Sequence, residues 1–335
     1  MKRLTPARLA AAGLVLLAVV ALILWIAPSD SYIYLPDRAH PVAPLVVVQG
    51  GKDPHDGGGI YFVDVFVRKA SWLERLFPGI REGATIVPSS VVRPPGVSEK
   101  AQRKEDLRAM SRSQDVAAAV ALRTLGYKVT ARATGVLVRN VARDAPAAGK
   151  LDPTDVIVRV DGKNVRTPGA LRAVLRSRPP GTTFRIAVRR AGGIRTVTVR
   201  TVPDPGHGDR AVLGIRIGQA AEVRLPLRVT IDAGDVGGPS AGLAFALDIL
   251  EELGRDVDQG RRIAATGEID FDGTIESIGG IRQKTIGVRE AGIHVFLVPA
   301  GENAAEARRY AKGVRIVPVQ NFQQALRALA TAPSG

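Results

Sequence analysis

From Leu9 to Ala27 every position is apolar, relieved only by the small Gly13, and Pro28 ends the run. About 19 residues at 1.5 Å each match the ~30 Å hydrocarbon core of a bilayer. Lys2, Arg3 and Arg8 precede the run and Asp30 follows it. That asymmetry puts the N-terminus in the cytoplasm and the bulk of the chain outside. Trp25, Tyr32 and Tyr34 suit the interfacial belt. A cleaved signal peptide would have a shorter apolar region, about 7–15 residues, and Pro28 spoils the cleavage site. A retained single-pass transmembrane helix is therefore expected over 9–27.

Beyond the run the pattern changes several times. Residues 30–125 form an N-terminal extracytoplasmic region. Strands are expected at Leu45–Val48 and Tyr61–Val67, where β-branched and aromatic residues concentrate. A Gly/Asp-rich turn, Gly50–Gly59, carries His55. Ser71–Phe77 reads as a short helix capped by Ser71 and stopped by Pro78-Gly79. Glu105–Leu125 reads as a longer helix with Leu107, Met110, Ala117, Ala121 and Leu125 on one face.

Residues 126–204 read as small and β-rich. Val136–Val138 is a strand, followed by Pro146-Ala147 with Leu151, then Asp155-Val156-Ile157-Val158-Arg159-Val160-Asp161-Gly162. A helix follows near Pro168–Leu175, then strands Phe184–Val188 and Ile194–Val199. Asp161-Gly162 makes a tight turn while Val156, Ile157 and Val160 feed a core. Through these residues the segment resembles a PDZ domain of the bacterial type. That resemblance implies capture of an extended peptide as an added strand, with its carboxylate held by backbone N–H groups. The carboxylate loop would fall at Ala131–Gly135, which lacks the usual Gly-aromatic-Gly pattern. A PDZ fold serving as a spacer is the alternative.

Residues 208–332 alternate strand and helix as one α/β unit. Val229–Ile231 leads into a Gly-rich loop and a helix, Pro239–Leu253. Leu243, Ala246, Leu247 and Leu250 form its inward stripe, and Asp248, Glu251 and Glu252 fall on the opposite arc, expected to face water. Ile263–Ala265, His294–Pro299 and Val314–Val317 are strands. Gly279–Ala291, Glu302–Ala311 and Phe322–Ala330 are helices.

Composition narrows the chemistry. The chain has 335 residues, no cysteine and a net charge of +15. Disulfides, thiolate metal sites and a cysteine nucleophile are excluded. The positive charge draws anionic lipid, cell-wall polymer or nucleic acid. No stretch interleaves Lys/Arg with aromatics as a nucleic-acid groove would, so no nucleic-acid partner is expected. His40, His55, His207 and His294 show no metal-ligand spacing, and no metal or cofactor is expected. No Gly-x-x-x-x-Gly-Lys-Ser/Thr segment occurs, so no ATPase module is expected in this sequence.

The candidate chemistry lies in Gly237-Gly238-Pro239-Ser240-Ala241-Gly242. Gly237 and Gly238 let the backbone turn tightly, and Pro239 suits a first helical turn. Ser240 then sits at the positive end of a helix dipole. Free N–H groups around Gly237, Gly238 and Ala241 are placed to hold an oxyanion. Lys284 follows 44 residues later. On a helical wheel it joins Ile281, Val288 and Ala291, away from Arg282 and Arg289. A lysine on an apolar face loses solvation, and its lowered pKa yields a neutral amine able to take a serine proton.

Residues from about 226 to 330 resemble the proteolytic domain of Lon proteases. The resemblance runs through Gly238-Pro239-Ser240-Ala241-Gly242, Ala265-Thr266-Gly267-Glu268-Ile269, Gly273, Ile278 to Lys284, and Val298-Pro299. It implies Ser240 as nucleophile, Lys284 as general base and Thr266 as the residue that orients the amine. Many Lon enzymes carry Asp where this chain has Gly237. The whole layout resembles the membrane-anchored, PDZ-containing Lon-like proteases of Gram-positive and actinobacterial cells. It implies an α/β multidomain chain acting as an ATP-independent serine endopeptidase on extracytoplasmic polypeptides, with PDZ-assisted selection. Because Lon-type domains commonly form rings, it also implies a homo-oligomer. The alternatives are an inactive, membrane-tethered interaction scaffold and a basic wall- or lipid-binding module.

Overall fold

The computed structural model describes residues 6–52, 57–92, 98–142, 144–190, 193–204 and 207–331. Lys2, Arg3 and His55 lie outside them, as does part of the Gly50–Gly59 turn. Pro6–Ile26 is a helix, and its described side chains begin at Ala10. Leu14, Leu16, Leu17, Leu22 and Ile26 stand exposed along it. Among the described residues, no helix is long and apolar enough to cross a membrane.

The C-terminal unit is built on a five-stranded sheet in the order His40–Pro41, Gly59–Phe62, Arg262–Ala265, Val295–Pro299, Arg315–Val319. Its last four strands run parallel. Parallel strands are covered on both faces and carry unbroken apolar runs. Accordingly Ile263, Ala264, Ala265, Phe296, Leu297 and Val298 are all fully buried. Two of the five strands come from the N-terminal region. A third N-terminal strand, Val46–Val48, pairs with Val229–Ile231 just before the serine loop. Residues 40–62 therefore fold as part of the C-terminal unit. The expected strand Tyr61–Val67 is broken at Val63-Asp64, and Val65–Ser71 joins a separate antiparallel sheet with Pro28–Pro36 and Thr85–Pro88.

The PDZ-like region is antiparallel, in the order Gly193–Arg200, Thr183–Arg190, Val156–Val160, Thr130–Val141, Ile215–Arg224. Asp161 and Gly162 both take positive φ, 46° and 80°, and turn the chain back into Lys163–Asn164. Ala131–Gly135 lies inside the strand Thr130–Val141, paired with Ala220–Val223; it is not a loop. Ile215–Arg224 lies within the 208–332 unit by sequence, yet it pairs along its length with Thr130–Val141.

Two helices tie the regions together. The long helix, Glu99–Thr124, lays Met110, Ala117, Ala118 and Ala121 in the same core as Ala244, Leu247 and Leu250 of the serine helix, Gly242–Glu252. Alanines on both sides permit a close approach. The serine helix is consequently buried along its whole length. Asp248, Glu251 and Glu252 do not face water as the wheel implied: they are 1%, 7% and 7% exposed. The long helix, the sheet and the following turn leave the helix no solvent face.

Candidate functional site

The serine loop leaves the strand Val229–Ile231 at Asp232, whose carboxylate accepts the Gly234 N–H at 2.9 Å. The long helix then grips it from the side. Gly238 N–H donates to the Asp106 carbonyl at 2.9 Å, and Ser113 Oγ donates to the Pro239 carbonyl at 2.9 Å. These contacts explain the loop's glycines. A Cβ on Gly237 would come within 2.8 Å of Asp106 Cβ, and one on Gly242 within 2.6 Å of Ser113 Oγ. Gly238 itself has φ +89°, a backbone that side chains rarely adopt.

Ser240 sits in the turn two residues before the helix proper. Among the described residues neither its N–H nor that of Ala241 has a hydrogen-bond acceptor. Gly238 N–H, by contrast, is committed to Asp106 and serves the turn. Because a trans peptide sets N–H opposite to C=O, Ser113 holds the Ser240 N–H by holding the Pro239 oxygen.

Lys284 lies on the lysine helix, Ile281–Glu290, which opens on Gly280 at φ +69°. This helix is seated against the N-terminal region. Gln283 Nε2 donates to the Gly83 carbonyl and to Thr85 Oγ1, both at 2.8 Å. At Gly287 the approach to the Asp37 carbonyl leaves no space for a side chain. The Lys284 amine ends 2.7 Å from Ser240 Oγ and 3.1 Å from Thr266 Oγ1. Thr266 closes the triangle, its hydroxyl donating to the Ser240 carbonyl at 3.1 Å. Gly267 N–H donates to the same carbonyl at 2.8 Å.

Lys284 is 3% exposed. Burial pushes its amine down to about 8, and the Asp64 carboxylate acts against that fall. Burial also raises the Asp64 carboxyl above its ordinary range, with Asp37 adding to the rise. Asp64 Oδ1 is buried without a hydrogen-bond partner. Asp37, His40 and Asp64 converge, with polar atoms within 4.8 Å of one another, a grouping that histidine spacing alone did not reveal. Chemically, the pocket offers a hydroxyl, a poorly solvated amine beside it, and two unpaired N–H groups at a helix N-terminus.

The structure thus brings Ser240, Lys284 and Thr266 together and sets Ala241 beside them. Sequence reasoning missed Asp106, Ser113 and Asp64. Asp106 and Ser113 act from a helix more than a hundred residues upstream, and no local pattern marks them.

The PDZ-like region touches this site at a second remove. Arg139 bridges to Glu268 at 3.2 Å and Asp270 at 2.8 Å, just past Thr266. Thr154 Oγ1 donates to Glu105 of the long helix at 2.6 Å. A cavity of about 480 Å³ opens between the helix Pro168–Arg176 and the strand Ile215–Arg224, lined in part by Leu171, Leu175, Leu213 and Gly214.

Comparison with known proteins follows the same division. Residues 123–201 match the PDZ domain family, and residues 219–331 match the Lon protease (S16) C-terminal proteolytic domain. Lon protease 1 of Sorangium cellulosum (strain So ce56) is 32% identical over 209 residues, 54% of this chain and 25% of that protein. Lon protease 2 of Bacillus subtilis (strain 168) is 30% identical over 98 residues, 29% of this chain and 17% of that protein. The chain therefore spans a quarter or less of the length of these relatives. Among solved structures, the PDZ domain of an SdrC-like protein from Listeria monocytogenes is 25% identical, with a TM-score of 0.24, covering 27% of this chain and 93% of that one.

Proposed function

We propose that this chain, a PDZ domain followed by a Lon-type proteolytic domain, is an ATP-independent serine endopeptidase working through Ser240 and Lys284. The approach of the buried amine to the hydroxyl, 2.7 Å, carries the reading. With Lys284 neutral, Nζ takes the Ser240 proton as Oγ attacks a peptide carbonyl. The oxyanion that forms is received by the Ser240 and Ala241 N–H groups at the positive end of the helix. Lys284 then returns the proton to the departing amine, and water, activated by the same amine, releases the acyl-enzyme. Thr266 holds the amine's second contact, so that its lone pair aims at Ser240.

Membrane attachment with an extracytoplasmic catalytic domain belongs to the same proposal. Its support is the apolar run Leu9–Ala27, the basic residues before it, and the exposed apolar side chains of Pro6–Ile26. The PDZ domain selects or presents polypeptide substrates.

The test is cleavage of casein and of a peptide library by the full chain in detergent. Ser240→Ala and Lys284→Ala should each lower kcat/KM by about 10⁴-fold, as loss of a coupled nucleophile or base does. Activity retained in either variant refutes the assignment. Carbonate washing of membranes tests the attachment separately, since a spanning helix stays with the pellet.

A further inference from the structure

The far end of the serine helix holds a second cluster of charge, unconnected with the proposed chemistry. Asp248, Glu251 and Glu252 stand three and four positions apart and so share one helix face. Asp256 and Asp258, on the turn that follows, close the group. Polar oxygens of Glu251, Asp256 and Asp258 lie within 4.8 Å of one another. Oxygens so spaced can share one ion at about 2.4 Å, the distance at which Ca²⁺ takes carboxylate ligands.

Backbone bonds place these carboxylates. Glu251 Oε1 accepts Val257 N–H and Asp258 N–H, both at 2.7 Å. Asp256 Oδ1 accepts Gln259 N–H at 2.7 Å, and Asp258 Oδ1 accepts Gly260 N–H at 2.6 Å. Those bonds account for position but not for charge. Arg261 offsets part of the charge at Asp258.

A separate observation points to a ligand. Asp248 is 1% exposed, and its Oδ2 has no hydrogen-bond partner. It shares the helix face of Glu251 and Glu252, and burial, with the charges of Glu252, Glu251 and Asp258 added, pushes its carboxyl up to about 8. An unpaired buried carboxyl is costly. The location adds to that cost, because the C-terminal end of a helix is itself negative. A cation is what both the cluster and the helix end call for. Among the described residues, no Lys or Arg donates to Asp248 Oδ2.

We propose that this group binds a hard divalent cation of the Ca²⁺ class. Glu251, Asp256 and Asp258 are its carboxylate ligands, and Asp248, on the same helix face, is the buried carboxyl whose charge the ion would offset. The exposed Asp256 side is the entry. Such an ion would clamp the end of the serine helix to the turn that feeds strand Arg262–Ala265, and through it Thr266. Its effect is on the stability of that joint and is independent of whether Ser240 is catalytic.

The experiment uses the full chain stripped with EDTA, followed by thermal unfolding in CaCl2, MgCl2 and NaCl at matched ionic strength. CaCl2 should raise the Tm saturably by about 5 °C or more, and MgCl2, which demands a tighter octahedral shell, by less. Tb³⁺ should give sensitised luminescence that CaCl2 displaces. Asp248→Asn and Asp256→Asn should each move the CaCl2 midpoint at least about tenfold upward. Should Asp248→Asn fail to fold, the exposed Asp256→Asn carries the test alone. No saturable Tm rise, an equal rise in NaCl, or a midpoint unmoved in Asp256→Asn overturns the proposal.

Discussion

At its N-terminal end the serine helix keeps the N–H groups of Ser240 and Ala241 unpaired, with a half-buried hydroxyl between a lysine and a threonine. At its C-terminal end the same helix carries Asp248, Glu251 and Glu252, nearly out of reach of water. Both ends run against electrostatic comfort, in opposite senses. The positive end has no fixed anion where its dipole would favour one. The negative end is loaded with anions where its dipole disfavours them. A site meant for a charge that comes and goes must stay empty between visits. A site crowded with buried carboxyls resists their ionisation, and burial there pushes Asp248 up to about 8. The first difference bears on the proposed chemistry and the second on stability, and each can be attacked separately.

Short of removing Ser240 or Lys284 itself, the largest effect expected is on the pH dependence at the N-terminal end. The amine works as a base only when unprotonated, and burial brings it to about 8. The rate kcat/KM should therefore climb about tenfold per pH unit from pH 6, roughly 100-fold in all, and level above 8. A midpoint near 10.5 would mean that the amine is solvated and the pocket is not as described.

Stability offers the next measure. Lys284 holds its proton up to about 10.5 when unfolded but only to about 8 when folded. Between those values the unfolded chain binds more protons, so the wild type gains stability as pH rises through that window. Below 8 the full cost of burying the charge remains. Lys284→Met should thus be more stable than wild type at pH 7 by about 1–3 kcal/mol, an advantage that fades as pH approaches 10.5. Denaturant unfolding at the two pH values reads it.

Ser113→Ala sharpens the contrast from outside the match to the proteolytic family. It frees the Pro239 carbonyl and with it the peptide plane carrying the Ser240 N–H. It should lower kcat about tenfold with KM little changed; a loss confined to KM would mean that the contact serves substrate binding. The smallest effect belongs to Asp64→Asn. Removing the carboxylate that opposes the fall in the Lys284 pKa should shift the pH–rate midpoint downward, by less than one unit.

The candidate pair, Ser240 and Lys284, was legible because its constraints are local. A Gly-rich turn before a helix, and a lysine on the apolar arc of another helix, can be read within ten residues of each. The remainder depends on what packs against what. Asp248, Glu251 and Glu252 fall on a polar arc by any wheel, and only the long helix and the turn behind them bury that arc. The PDZ resemblance puts the carboxylate loop at Ala131–Gly135, yet that segment pairs as a strand with Ala220–Val223. Ser113 is one serine in a polar helix until the Pro239 carbonyl is set against it. Tyr61 and its neighbours look like an isolated strand because their parallel partner, Arg262–Ala265, lies about two hundred residues away.

That last distance governs when the site can be complete. Gly59–Phe62 is sandwiched in register beside Arg262–Ala265, and Tyr61 and Arg262 meet across 201 positions of chain. Such remote pairings form late, after much of the chain is already in place. A copy grown only to about residue 255 holds Ser240 but neither the strand Arg262–Ala265 that leads to Thr266 nor the helix Ile281–Glu290 that brings Lys284. On the proposed reading, Ser240 stays without its base until the chain has passed residue 284 and that late pairing has formed.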